Sequence, residues 1–94
     1  EKPEGADDLL LVTPEGFLRE TTRFNIFLLD EKKKLFFTPT LSTGCINDVY
    51  RRFAMRNGIK DMEVIERNLR PEEVGYYKIF VANSVRGILR AQLT

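Results

Sequence analysis

The chain contains no histidine and a single cysteine, Cys45, and these two scarcities remove a good deal of chemistry. Without imidazole there is no histidine general base, and one thiol supports neither an internal disulfide framework nor a zinc cluster. No metal site is expected, and the default setting is a reducing one, the cytoplasm. Long hydrophobic runs are also missing. The first apolar stretch, Leu9 to Val12, is too short for a signal peptide or a membrane span. Nor is there an excess of one charge: 15 basic against 14 acidic residues leave +1, too weak a field to gather nucleic acid or another polyanion. No internal repeat or low-complexity tract is present.

What remains is 94 residues, 43% hydrophobic and 31% charged, a globular composition near the small end of what one core can stabilise. One domain at most is expected. The chain opens at Glu1 rather than at methionine, so it reads as a fragment or a processed piece. Residues 1–6, polar with Pro3 and Gly5, read as a linker or truncated start, with order beginning near Asp7. The short clusters Lys32, Lys33, Lys34 and Arg51, Arg52, Arg56 read as solvated surface.

Leu9 to Val12 is a short strand, and Thr13-Pro14-Glu15-Gly16 carries proline and glycine where a tight turn wants them, so a hairpin follows. Phe17 to Thr22 and Asn25 to Asp30 are extended, and a charged turn at Glu31 to Lys34 leads into Leu35, Phe36 and Phe37, a strand ended by Pro39. Asn47 or Asp48 can cap a helix with an apolar stripe of Ile46, Val49, Tyr50, Phe53 and Ala54, stopped at Asn57-Gly58. Met62 to Arg67 alternates as a strand, and Pro71-Glu72-Glu73 starts a second, brief helix. Tyr77 to Ala82 suits a buried strand that Asn83-Ser84 breaks before Gly87 to Leu93.

If the segment from Leu18 to Leu28 runs without a bulge, Leu18, Glu20, Thr22, Phe24, Ile26 and Leu28 share one face. Glu20 then sits among mostly apolar neighbours, where a bare carboxylate is costly unless something pairs with it. That partner is either a ligand or an ordinary structural cation such as Arg19 or Arg23. Further on, a glycine-containing loop feeds a helix start, and a polar Asn-Ser pair follows a buried strand. Backbone N–H groups at a helix start together with a hydroxyl suit a phosphate, and a pyridinium ring needs a carboxylate to stay protonated, so the three features together fit pyridoxal phosphate.

The stretch Gly16-Phe17-Leu18-Arg19-Glu20-Thr21-Thr22-Arg23-Phe24-Asn25-Ile26-Phe27 resembles the strand pair of class IV aminotransferases and aminodeoxychorismate lyases. In that family a glutamate is followed five residues later by asparagine, an aliphatic residue and an aromatic one. Thr38-Pro39, the helix carrying Arg51, and Asn83-Ser84-Val85-Arg86-Gly87-Ile88 fall in matching order, so the resemblance runs from Asp7-Asp8-Leu9 onward. It implies an α+β fold: a mixed, open barrel-like sheet with two helices, with residues 7–94 forming a C-terminal, cofactor-contacting domain incomplete at its N-terminal side. It implies pyridoxal 5'-phosphate as cofactor, with Glu20 holding the pyridine nitrogen. The backbone N–H groups of Val49 and Tyr50 would grip the phosphate, with Ser84 adding a hydroxyl. Asn25 and Arg51 match family positions and take structural roles, and Arg86 also matches. An amino acid or an aminodeoxychorismate-type substrate, a role in amino-acid metabolism and a homodimer follow from the same likeness. Glu20-Thr21-Thr22 and the Asn83 to Ile88 stretch lean toward the lyase subgroup.

Two departures stand out. Asp48 occupies a position where the family usually has glycine, next to the phosphate amides; at an effective dielectric near 20, like charges ~4 Å apart cost about 4 kcal/mol. Pointing away as a helix cap would remove much of that cost. The family's Schiff-base lysine lies well upstream of the glutamate, farther than the 19 residues before Glu20, and Lys2 is too close. No catalytic residue is therefore expected in this chain, which on its own should be inactive. A non-catalytic relative serving as a binding or structural module, and a small α+β interaction domain with structural Glu20 and Ser84, stay open beside the enzyme.

Overall fold

Residues 10–91 are described by the computed structural model. The linker assigned to 1–6, the onset of order near Asp7, Lys2, Leu9 and the far end of the last strand at Leu93 lie outside the described residues. Leu10–Val12 (β1) and Leu18–Thr21 (β2) pair antiparallel as a hairpin, closed by the turn at Thr13, whose carbonyl accepts from the Gly16 N–H at 2.9 Å. Asn25–Asp30 (β3), Leu35–Thr38 (β4), Glu63–Glu66 (β5), Lys78–Asn83 (β6) and Gly87–Ala91 (β7) form a five-stranded sheet in the order β5-β4-β3-β6-β7. The sheet is mixed: β4 and β5 run parallel, while the other neighbours are antiparallel.

β3 reads as a nearly continuous apolar run because both of its faces are covered. Ile26 and Leu28 join Leu18, Phe37, Leu69 and Val74 in one cluster, while Phe27 joins Phe36, Ala54, Ile59, Val64 and Ala82 in another. Side-chain alternation along a strand makes these opposite faces. The first cluster brings in the hairpin and the 3-10 helix Pro71–Tyr76; the second brings in the α-helix Val49–Asn57 (α1). Each such buried aliphatic or aromatic side chain stabilises the fold by about 1.5–3 kcal/mol. The architecture is the expected α+β one: among the described residues a mixed sheet and a small second sheet are joined by α1 and the 3-10 helix Pro71–Tyr76, with one further 3-10 turn at Leu41–Thr43. No helix among the described residues is long and apolar enough to cross a membrane.

Three expectations need correction. The extended run from Leu18 to Leu28 is interrupted: residues 22–24 form a bend and Thr22 is exposed. The Thr21 hydroxyl accepts from the Phe24 N–H at 3.0 Å, a local bond that competes with the strand ladder, so β2 and β3 enter different sheets. The apolar stripe of α1 is also rotated. Ile46, Val49 and Phe53 are 60–64% exposed, and the residues buried on the helix are Arg51 and Ala54. Finally, Arg51 is not on the solvated surface. It is 2% exposed, with guanidinium N–H groups donating to the Pro39 carbonyl at 2.9 Å, to Asn47 Oδ1 at 3.3 Å and to the Glu66 carboxylate. These partners offset the desolvation of the cation, so the helix presents Arg51 inward although hydrophobicity alone favours the opposite.

Candidate functional site

The helix start is built by its cap and its stop. Asp48 is extended, and its Oδ1 accepts from the Arg51 N–H at 2.8 Å, meeting one of the donors a helix leaves unpaired at its first turn. At the far end Gly58 adopts φ +81°, and a Cβ there would stand 2.5 Å from the Met62 carbonyl oxygen, so only glycine fits. Asp48 thus turns toward the helix and β3 as a cap, and Asn25 Nδ2 reaches the same Oδ1 at 3.4 Å.

The next donor, the Tyr50 N–H, points at the Ser84 hydroxyl oxygen at 3.2 Å. Ser84 is held there by Asn83, the last residue of β6. Its Oδ1 accepts from the Val85 and Arg86 N–H groups at 3.0 and 2.7 Å, and its Nδ2 donates to the Arg23 carbonyl at 3.0 Å. An asparagine closing a turn in this way is a familiar local device, and it aims the following serine at α1. Two of the three residues assigned to the phosphate are therefore in contact across 34 positions of sequence, and Val49 precedes Tyr50 as the first helical residue. The Tyr50 ring packs edge-on against Phe27 with centroids 6.2 Å apart, and burial holds its phenol above the usual pKa.

Glu20 lies opposite Leu11 in the hairpin and is 6% exposed. Its Oε1 accepts from the Ile46 N–H at 3.0 Å, and Oε2 lies 3.2 Å from Arg19 Nε. The Arg19 contact is an ion pair whose N–H is not aligned with the carboxylate. An ionised carboxylate has about four acceptor positions, so Glu20 keeps capacity for another N–H. Arg19 was among the cations foreseen for it. The Ile46 amide was not, because a backbone donor leaves no mark in the sequence. Asn25 is 5% exposed and paired in the ladder with Ala82 of β6 rather than with β2. Arg86 is exposed.

A buried acceptor-only carboxylate can hold a protonated ring nitrogen, and a helix-start amide beside a hydroxyl is a donor set for phosphate oxygens. The residues present fit pyridoxal phosphate on those grounds. The fold is that of class IV aminotransferase domains, as three solved structures illustrate. A provisionally assigned amino-acid aminotransferase from Mesorhizobium loti superposes with a TM-score of 0.82 at 27% identity, over 94% of this chain and 41% of that one. A provisionally assigned 4-amino-4-deoxychorismate lyase from Legionella pneumophila gives 0.78 at 30% identity, over 93% and 32%. An aminotransferase from Brucella abortus bound to its cofactor PLP gives 0.78 at 19% identity, over 93% and 33%, a likeness of fold alone. The chain belongs to the amino-transferase class IV family, whose sequence profile matches residues 2–93. It spans less than half the length of these solved relatives. No curated protein matches it.

Proposed function

We propose that this chain is the C-terminal, cofactor-contacting part, residues 7–94, of a pyridoxal-phosphate-dependent aminotransferase or aminodeoxychorismate-lyase-like enzyme. The observation that carries the reading is the Tyr50 N–H to Ser84 Oγ contact of 3.2 Å. It joins a helix-start donor to a hydroxyl from another element, the pairing a phosphate group needs. Glu20 takes the pyridine nitrogen, the amides of Val49 and Tyr50 with the Ser84 hydroxyl take the phosphate, and a lysine outside these 94 residues completes the site. When bound, the cofactor supplies an electron sink for a carbanion at the substrate's α-carbon. The residues of this chain bind and orient it and keep its ring nitrogen protonated. The substrate on this reading is an amino acid or an aminodeoxychorismate-type acid, and the enzyme works as a cytoplasmic homodimer.

The test is cofactor titration of the intact protein followed by visible absorbance, alongside Ser84→Ala. Saturable binding that weakens in the variant supports the reading; absence of binding, or a variant that binds like wild type, counts against it. The 94 residues alone, verified by mass, are expected to show no turnover.

A further inference from the structure

Three residues of the segment Ile46–Tyr50 make polar contacts with strands or turns outside it, each with a different part of the fold. The Ile46 N–H is held by Glu20 on β2 at 3.0 Å. Asp48 Oδ1 takes Asn25 Nδ2 at the start of β3 at 3.4 Å, and the Tyr50 N–H takes Ser84 in the turn after β6 at 3.2 Å. Within the segment only the Tyr50 ring packs against the core, on Phe27; Ile46 and Val49 are each 64% exposed and add little. Its polar partners are firmly seated, with Glu20 at 6% and Asn25 at 5% exposure. Where packing is thin, these hydrogen bonds set the position of the backbone.

We infer that Ile46–Tyr50 is a strut joining the two ends of the site. Glu20, through the Ile46 amide, and Asn25, through Asp48, are positioning residues that set the affinity of the α1 start for a phosphate neither of them touches. This rests on the reading of the helix start as a phosphate site. Loss of one contact lets the segment shift and misaligns amides whose hydrogen bonds depend steeply on angle. One such bond corresponds to about a fivefold change in affinity.

The probe is inorganic phosphate added to the cofactor-free intact protein, read by calorimetry and by amide hydrogen exchange. Asn25→Ala and Glu20→Leu are expected to weaken phosphate binding about fivefold, while Glu20→Gln, whose amide oxygen still accepts from Ile46, stays within about twofold. In the wild type, phosphate should slow exchange of the Ile46 amide together with that of Tyr50, a result that needs no variant to fold. The strut is overturned if Ser84→Ala weakens phosphate binding but Asn25→Ala and Glu20→Leu, correctly folded, bind as wild type does. It is equally overturned if saturating phosphate protects Tyr50 and leaves Ile46 unmoved. Should Ser84→Ala bind phosphate as wild type does, with Tyr50 unprotected, the phosphate reading itself fails and takes the strut with it.

Discussion

The proposed ring end and the proposed phosphate end of the site are held in opposite ways. Glu20 is buried, with one carboxylate oxygen on a backbone amide and the other beside a guanidinium. At the other end, Val49 and Ser84 are exposed, and the Tyr50 amide meets a hydroxyl from a solvent-facing turn. A buried, prearranged carboxylate needs little reorganisation during a reaction, which is where electrostatic catalysis gains most. Exposed donors shed water when an anion arrives and contribute mainly to affinity. The difference predicts that changes at the ring end register in turnover and changes at the phosphate end in binding.

The largest expected effect comes from removing the side chain that anchors the start of α1. Arg51 reaches Asn47 Oδ1, just ahead of the helix, and the Pro39 carbonyl at the end of β4. Arg51→Met removes the guanidinium from both acceptors, leaving the Pro39 carbonyl only the weak Cys45 thiol at 3.9 Å, and strands the Glu66 carboxylate. Because Glu66 is 36% exposed and can be rehydrated, the loss should fall near the lower end of the range for broken buried pairs, about 3 kcal/mol. The urea midpoint measures it, and cofactor affinity should fall as well. A variant as stable as wild type would mean that the buried guanidinium contributes no net stability.

Glu20→Gln probes the ring end. A neutral amide can still accept from Ile46 but cannot keep a ring nitrogen protonated, so turnover in the intact enzyme should drop on the order of a hundredfold. Cofactor affinity should change far less. Steady-state rates at saturating cofactor, set beside an absorbance titration, separate the two. Equal losses in both would erase the contrast, and unchanged turnover would return Glu20 to a purely structural role.

Ser84→Ala probes the other end and should show the reverse pattern. Losing one hydrogen bond weakens cofactor binding about fivefold and leaves turnover near wild type once the cofactor is saturating. A turnover defect that excess cofactor does not repair would contradict it.

How far these residues could be found from sequence differs by the kind of signal each carries. Strands and turns announce themselves through alternation and through Pro14, Gly16 and Gly58, and the order of strands and of the two foreseen helices was legible, whereas the short 3-10 turn Leu41–Thr43 was not. Asp48 could be read as a cap, since cap residues have a chemical signature. The orientation of α1 could not. Ile46, Val49 and Phe53 make a plausible apolar stripe, and only the distant partners Pro39 and Glu66 explain why Arg51 is turned inward instead. The break between β2 and β3 was equally hidden, because the Thr21 hydroxyl can serve a strand or a bend with no change in composition. In the proposed site, Glu20 and Ser84 were visible as side chains, whereas the Ile46 amide that holds Glu20 belongs to a residue whose identity says nothing about it.

The smallest expected effect belongs to Asp48, where charge and geometry oppose each other. Its carboxylate adjoins the amides of the proposed phosphate site and repels a dianion, yet it also caps α1 and receives Asn25. Two substitutions separate these roles. Asp48→Asn removes the charge and keeps an oxygen that accepts from both donors, since asparagine caps about as well as aspartate. Asp48→Gly removes the charge and the oxygen together. Because Asp48 is partly exposed, solvent reduces the repulsion well below its value at low dielectric. Asp48→Asn should therefore tighten cofactor binding only about two- to threefold at low salt, with the gain fading at an ionic strength near 1 M, where the screening length is about 3 Å. Asp48→Gly gains the same electrostatic relief but loses the tether to Asn25, so it should bind about threefold more weakly than Asp48→Asn at either salt concentration. Absorbance titrations of both variants at two ionic strengths read the two contributions separately. If the glycine variant binds as tightly as the asparagine one, the cap oxygen plays no part in holding the phosphate end, and the exposed donors there are placed by the helix alone.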